Sequence, residues 1–131
     1  MKPSTREWVD KAEADFATAG RELRARRQPN FDAACFHAQQ CVEKYLKARL
    51  VEADISFPKT HDLEALLDLI LPQEPLWEAL RPKLNDLTSF AITFRYPGEC
   101  ATREMAKTAV SACQAIRRQI KPKIGAIRPL R

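Results

Sequence analysis

Residues 31–48 read Phe31-Asp-Ala-Ala-Cys-Phe-His-Ala-Gln-Gln-Cys-Val-Glu-Lys-Tyr-Leu-Lys-Ala48. At about 100° per residue, Ala34, Ala38, Val42, Tyr45 and Leu46 fill one arc of a helix. His37, Gln40, Lys44 and Lys47 fall within about a quarter-turn of one another on the other side. A plain solvent face mixes Glu and Lys. This one lines up an imidazole, an amide and two ammonium groups, which bind phosphate or bases, or move protons. Glu43 precedes Lys47 by one helical turn and is placed to pair with it. Ala33, Ala34, Cys41 and Ala48 flank the stripe and leave room for a second helix, or a second copy of this one.

The pattern extends outward in both directions. Trp8, Val9, Ala12, Phe16, Ala19 and Leu23 repeat at helical spacing and predict a first helix from about Thr5 to Arg27, capped by Ser4 or Thr5. Gln28-Pro29-Asn30 ends it, and Asn30 caps the second helix, which runs to about Ala53. After a loop, Thr60 is the expected cap of a short helix whose buried face is Leu63, Leu66, Leu67 and Ile70. Pro72 and Pro75 break that helix, and residues 76–80 suit one further turn. Pro82 opens a longer helix with Leu84, Leu87, Ala91 and Phe94 inward. Tyr96-Pro97-Gly98 stops it. A last helix is expected over about Glu99 to Lys121, with Met105, Ala106, Ala109, Val110, Cys113, Ile116 and Ile120 inward. The reading is all-α: an up-and-down four-helix bundle with an extra short helix. It forms one domain over residues 1–131, with its core in about 5–121 and a basic irregular tail over 122–131.

Composition narrows the function. No run of about 18 apolar residues exists, so no membrane span is expected. The N-terminus has no apolar signal segment, and Cys35, Cys41, Cys100 and Cys113 show no metal-ligand spacing; a cytoplasmic protein with reduced thiols is expected. The net charge of +5 is uneven: residues 28–100 carry −4, whereas 101–131 carry +7. The last helix lines up Arg103, Lys107, Arg118 and Lys121, a stripe suited either to plain solvation or to RNA, nucleotides or an acidic partner. The two histidines leave a metal site without a third ligand, and nothing in the sequence asks for a cofactor. A Gly-rich phosphate loop, a nucleophile elbow and a metalloprotease motif are all missing.

Single residues then stand out. His61 sits at a predicted helix start, where backbone N–H groups attract anions. Arg95 precedes a rigid turn and has the planar fork suited to phosphate, and Tyr96 beside it offers a ring for a base. Each has a plainer reading, as a loop-fixing residue near a cap and as an arginine on helix carbonyls.

Residues 36–48, with Lys59-Thr60-His61-Asp62-Leu63 and Arg95-Tyr96-Pro97 in that order, resemble the signature of prokaryotic HEPN-domain proteins of the small stand-alone type. The resemblance spans about residues 5–121. It implies a helical bundle that forms homodimers and pairs with a minimal nucleotidyltransferase, frequently as a toxin–antitoxin system. Several such proteins are metal-independent RNases whose signature is Arg followed, after four to six residues, by His. Here Arg95 fits the arginine, but the histidine positions hold Cys100, Ala101 and Thr102. The tyrosine that some toxins present for adenylylation is replaced by Thr102. The expected function is therefore a nucleotide- or RNA-binding module, with His37, Gln40, Lys44, Lys47, His61, Arg95 and Tyr96 as ligand-binding candidates. The alternatives are an RNase using Arg95 with a relocated base, His37 or His61, and a purely structural interaction subunit.

Overall fold

The computed structural model describes residues 1–93 and 96–125, the side chains of 91–93 excepted. Among the described residues, five α-helices and one 3-10 turn come in the order α1 Pro3–Arg24, α2 Phe31–Glu52, α3 Leu63–Ile70, the 3-10 turn Pro75–Leu80, α4 Arg81–Thr93 and α5 Arg103–Gly125. Helix α2 is the axis, packing against α1, α5, α3 and α4. Its centre, from Cys41 to Ala48, is buried at every position but Lys44. Thr5 of α1 meets Glu52 at the far end of α2, and Asp15 meets His37 and Lys44, so the first two helices run antiparallel. Arg103 stacks on Phe31 and Arg117 lies beside Tyr45 through Glu13, so α5 runs parallel to α2. The four long helices alternate up and down, and α3 with the 3-10 turn bridges α2 to α4. None of the described helices is long and apolar enough to cross a membrane.

Local chemistry sets each boundary. Asn30 caps α2 by accepting the Ala33 N–H at 2.9 Å, as its position predicts. Helix α1 starts earlier than the capping residues suggested. Pro3, whose missing N–H costs nothing in a first turn, opens it, and Thr5 is turned inward to give its hydroxyl proton to Glu52 at 2.7 Å. Helix α3 is capped by Asp62, not Thr60. The Asp62 carboxylate accepts from Glu64 and Ala65, while the Thr60 hydroxyl accepts the Asp62 N–H. Asp62→Ala is expected to lower stability by about 1 kcal/mol, read as a shift in the urea midpoint, with Thr60→Ala costing less.

The last helix departs most from expectation. Its start is delayed to Arg103 because the Asp32 carboxylate takes the Ala101 N–H at 2.6 Å and Thr102 caps through the Met105 N–H. It also runs through Pro122 to Gly125, where an irregular tail was expected from 122; residues 126–131 lie outside the described residues. Pro122 forfeits the bond to the Arg118 carbonyl. Ile124, buried like Ile116 and Ile120, extends the apolar stripe by one turn and offsets that loss. Met105, expected inward, is exposed, because α5 meets the core through Ala106 and Ala109. In α4, Leu84 and Leu87 are buried as expected; Ala91 and Phe94 fall outside the described side chains.

Candidate functional site

Helix α1 lies along the polar stripe of α2. Asp15, buried on the inner face of α1, accepts from His37 Nδ1 at 2.7 Å and from Lys44 Nζ at 2.5 Å. A carboxylate can only accept, so His37 carries its proton on Nδ1 here. One turn along α2, Glu43 is almost fully buried and accepts from Lys47 Nζ at 3.0 Å and from His61 Nδ1 at 3.0 Å. The Lys47 ammonium also lies 5.4 Å from the Trp8 ring and 5.8 Å from the Phe57 ring, which roof it over. Gln40 donates to Gln39 at 3.0 Å, and Gln39 reaches the His61 carbonyl at 3.4 Å. The loop between α2 and α3 thus lies in the crevice beside α2, fixed by Phe57 at one point and by His61 at another.

The stripe is therefore split. Lys47 is sealed inside and Lys44 is half-covered, each neutralised by an internal carboxylate. His37, Gln40 and His61 stay at the surface, His61 with 79% of its side chain exposed. Among the described residues no group bonds either imidazole through Nε2. Both rings are held from behind by a carboxylate with the outer nitrogen open. The anion site expected at the start of α3 is not present as a free N-terminus, since Asp62 already supplies an anionic cap. Arg95 lies outside the described residues. Tyr96 is exposed on the turn before α5.

A second cluster lies across the bundle. Glu13 of α1 accepts from Arg117 Nε and Nη2, both at 2.7 Å, and from the Tyr45 hydroxyl; Lys121 stands 3.6 Å away. The Arg117 hydrogen bonds hold the Glu13 carboxyl down to about 2, against its burial and with help from Tyr45. Burial, with Glu13 adjoining, pushes the Tyr45 hydroxyl well above its ordinary value. Cys41 and Cys113 face each other beneath it, and their contact and burial push the Cys41 thiol far up. Burial raises the Cys35 thiol to about 11, so neither Cys35 nor Cys41 offers a thiolate nucleophile at neutral pH.

Asp15 and Phe57 escaped the sequence reading, which placed Trp8 in the helical repeat of α1 but not over Lys47. A signal for Asp15 existed: an acidic residue between Ala12 and Phe16, on the apolar side of α1, needs a cation opposite. Of the basic stripe on α5, Arg103 covers Phe31 and Lys121 approaches Glu13, while Lys107 and Arg118 are exposed. Lys107 also borders an open groove of about 590 Å³ between α4 and α5, which contains none of the histidine sites. Among the described residues no three His, Cys, Asp or Glu side chains converge as metal ligands.

The family model described as HEPN domain matches residues 5–123 of this sequence. Among solved structures, the crystal structure of an archaeal HEPN homologue superposes with a TM-score of 0.67 at 21% identity, covering 95% of this chain and 99% of that one. No curated protein matches the chain.

Proposed function

The chain belongs to the HEPN domain family, and on that premise we propose that it is a binding module for the phosphates of a nucleotide or RNA, working as a homodimer beside a nucleotidyltransferase-domain partner. The observation that carries this reading is the pair of imidazoles, each oriented through Nδ1 by a buried carboxylate with Nε2 left open. Held in this way, each ring in its doubly protonated form presents an Nε2–H donor to a phosphate with little reordering, whereas with one proton on Nδ1 it presents an acceptor. Gln40 follows His37 on α2 and connects to the His61 carbonyl through Gln39, and the Lys44 ammonium shares Asp15 with His37. Arg95 and Tyr96 join this set by the family motif. Lys47 supports it from inside by neutralising Glu43 rather than by touching a ligand. The positions where the nuclease signature carries histidine hold Cys100, Ala101 and Thr102, which favours binding over cleavage.

The test is calorimetric titration of the purified protein with ATP, without added metal. Arg95→Ala and His61→Gln are each expected to weaken binding by about 1–3 kcal/mol, the range for a hydrogen bond to a charged group. Wild-type affinity in both variants removes this reading. The second reading is an RNase with a relocated base, favoured by the same Nδ1–carboxylate arrangement, which is also how a general base is held. Metal-free RNA cleavage that disappears in His61→Gln or His37→Gln would select it.

A further inference from the structure

Most buried or half-buried cations of this fold are spent on carboxylates: Arg49 on Glu74, Arg81 on Glu64, Asp68 and Glu78, and Arg117 on Glu13. The end of the bundle where α1 turns into α2 is different. Arg21, Arg24, Arg26 and Arg27 are all exposed there, and among the described residues none has a carboxylate within ion-pair distance. Arg103 joins them. Its guanidinium lies 4.9 Å over the ring of Phe31, the first residue of α2, and the Asp32–Ala101 bond fixes the start of α5 beside it.

The helix dipole accounts for two of these five. Arg21 and Arg24 sit in the last turn of α1, where cations are favoured. Arg26 and Arg27 lie beyond the helix, and Arg103 opens α5, the end at which the dipole disfavours a cation. Two acids of this region serve backbone groups instead: Glu22 accepts from Asn30, and Asp32 from Ala101. Glu99 and Glu104 still leave arginine in clear excess. All five cations are arginine, whose planar fork matches a phosphate and whose face stacks on a base. Two exposed rings belong to the same end: Tyr96, 65% exposed, on the turn leading into α5, and Phe36, 39% exposed, in the second turn of α2.

We propose that this arginine-rich end binds the backbone of single-stranded RNA, with Arg26 and Arg27 on phosphates and Tyr96 stacked on a base. The proposal rests on the phosphate-binding reading above and names the ligand class, but it centres the polyanion on the arginine end of the bundle, which adjoins the His37–His61 strip through Phe36, 5.3 Å from the His37 ring, and shares Tyr96 with it. An acidic protein would find the charge but no use for the exposed rings, so RNA is the occupant the surface favours.

The experiment is fluorescence anisotropy of a labelled single-stranded RNA oligonucleotide with the full chain over a salt series. Arg26 and Arg27 lie outside the helices, so the Arg26→Gln/Arg27→Gln variant keeps the fold, checked by its thermal melt. It is expected to bind about tenfold more weakly at low salt. Its slope of log affinity against log salt should flatten by about 0.7 for each arginine that met a phosphate. Tyr96→Ala should weaken binding several-fold with the slope unchanged. No RNA binding by the wild-type chain, or an arginine variant equal to it in affinity and slope, overturns the proposal. So does displacement of the RNA by an acidic peptide at equal charge. His61→Gln in the same series separates the two surfaces: loss in that variant alone moves the RNA to the α2 strip, whereas loss in the arginine variant alone supports this end and leaves the ATP titration to decide the strip.

Discussion

Glu43→Ala is expected to lower the unfolding free energy by about 3–5 kcal/mol, the range seen when one partner of a buried ion pair is removed. The reason lies in the charge left behind. Lys47 is 7% exposed under Trp8 and Phe57, and without Glu43 its ammonium keeps ring faces but no counter-charge. His61 loses its anchor as well, so the end of the loop next to α3 keeps only the Gln39–carbonyl bond to α2 among the described hydrogen bonds. The instructive partner is the double variant Glu43→Leu/Lys47→Met, which fills the same space with apolar atoms. Replacing a buried pair in this way is often neutral or stabilising, so the double variant should recover most of the loss. Urea unfolding of the wild type, both single variants and the double variant measures this directly. A double variant that stays as unstable as Glu43→Ala would mean that packing around Trp8, rather than the stranded charge, sets the cost. If the double variant is stable yet binds ATP poorly, the pair is there to aim His61 rather than to hold the bundle.

That pair also marks the limit of what the sequence made legible. Period and caps located the helices because each signal is local: Asn30 caps the helix that begins at its neighbour Phe31, and Leu63, Leu66, Leu67 and Ile70 define one face. Two misplacements came where a distant residue competed for a local role. Thr5 is drawn to Glu52, a residue 47 positions away, and Ala101 is drawn to Asp32, 69 positions away; each bond moves a helix boundary. Pro122 fails to end α5 because Ile124 has a place in the core, a fact of packing that no local rule contains. The polar stripe was visible as a stripe. Its cover by α1 was not, because periodicity reports which residues share a face and not what lies against that face. The result is that half the stripe is structural, Lys47 wholly and Lys44 in part, and the chemistry concentrates on His37, Gln40 and His61.

The second large effect belongs to Glu13, which joins three helices through Arg117, Tyr45 and Lys121. Glu13→Ala leaves the Tyr45 hydroxyl buried without its acceptor and Arg117 without its carboxylate, a loss of about 3 kcal/mol at neutral pH. The same site makes stability depend on acid. The Glu13 carboxyl titrates at about 2 in the folded chain against an ordinary 4.5. A carboxyl whose value is lowered by folding adds stability above its unfolded value and loses it as pH falls toward the folded one. The contribution is thus whole at neutral pH and disappears between about 4.5 and 2. The side chain is 33% exposed, so solvent screening brings this part down to about 1–2 kcal/mol, below what the full shift would imply. Glu13→Gln cannot titrate, so its unfolding free energy should start lower at neutral pH and fall less steeply through that window. Urea unfolding of both proteins at neutral pH and at pH near 2 gives the comparison. Parallel curves would assign the acid sensitivity to other carboxylates, with Glu52, held below its ordinary value against its burial by the Lys2 and Thr5 hydrogen bonds, first in line, and would leave Glu13 as a packing residue between α1 and α5.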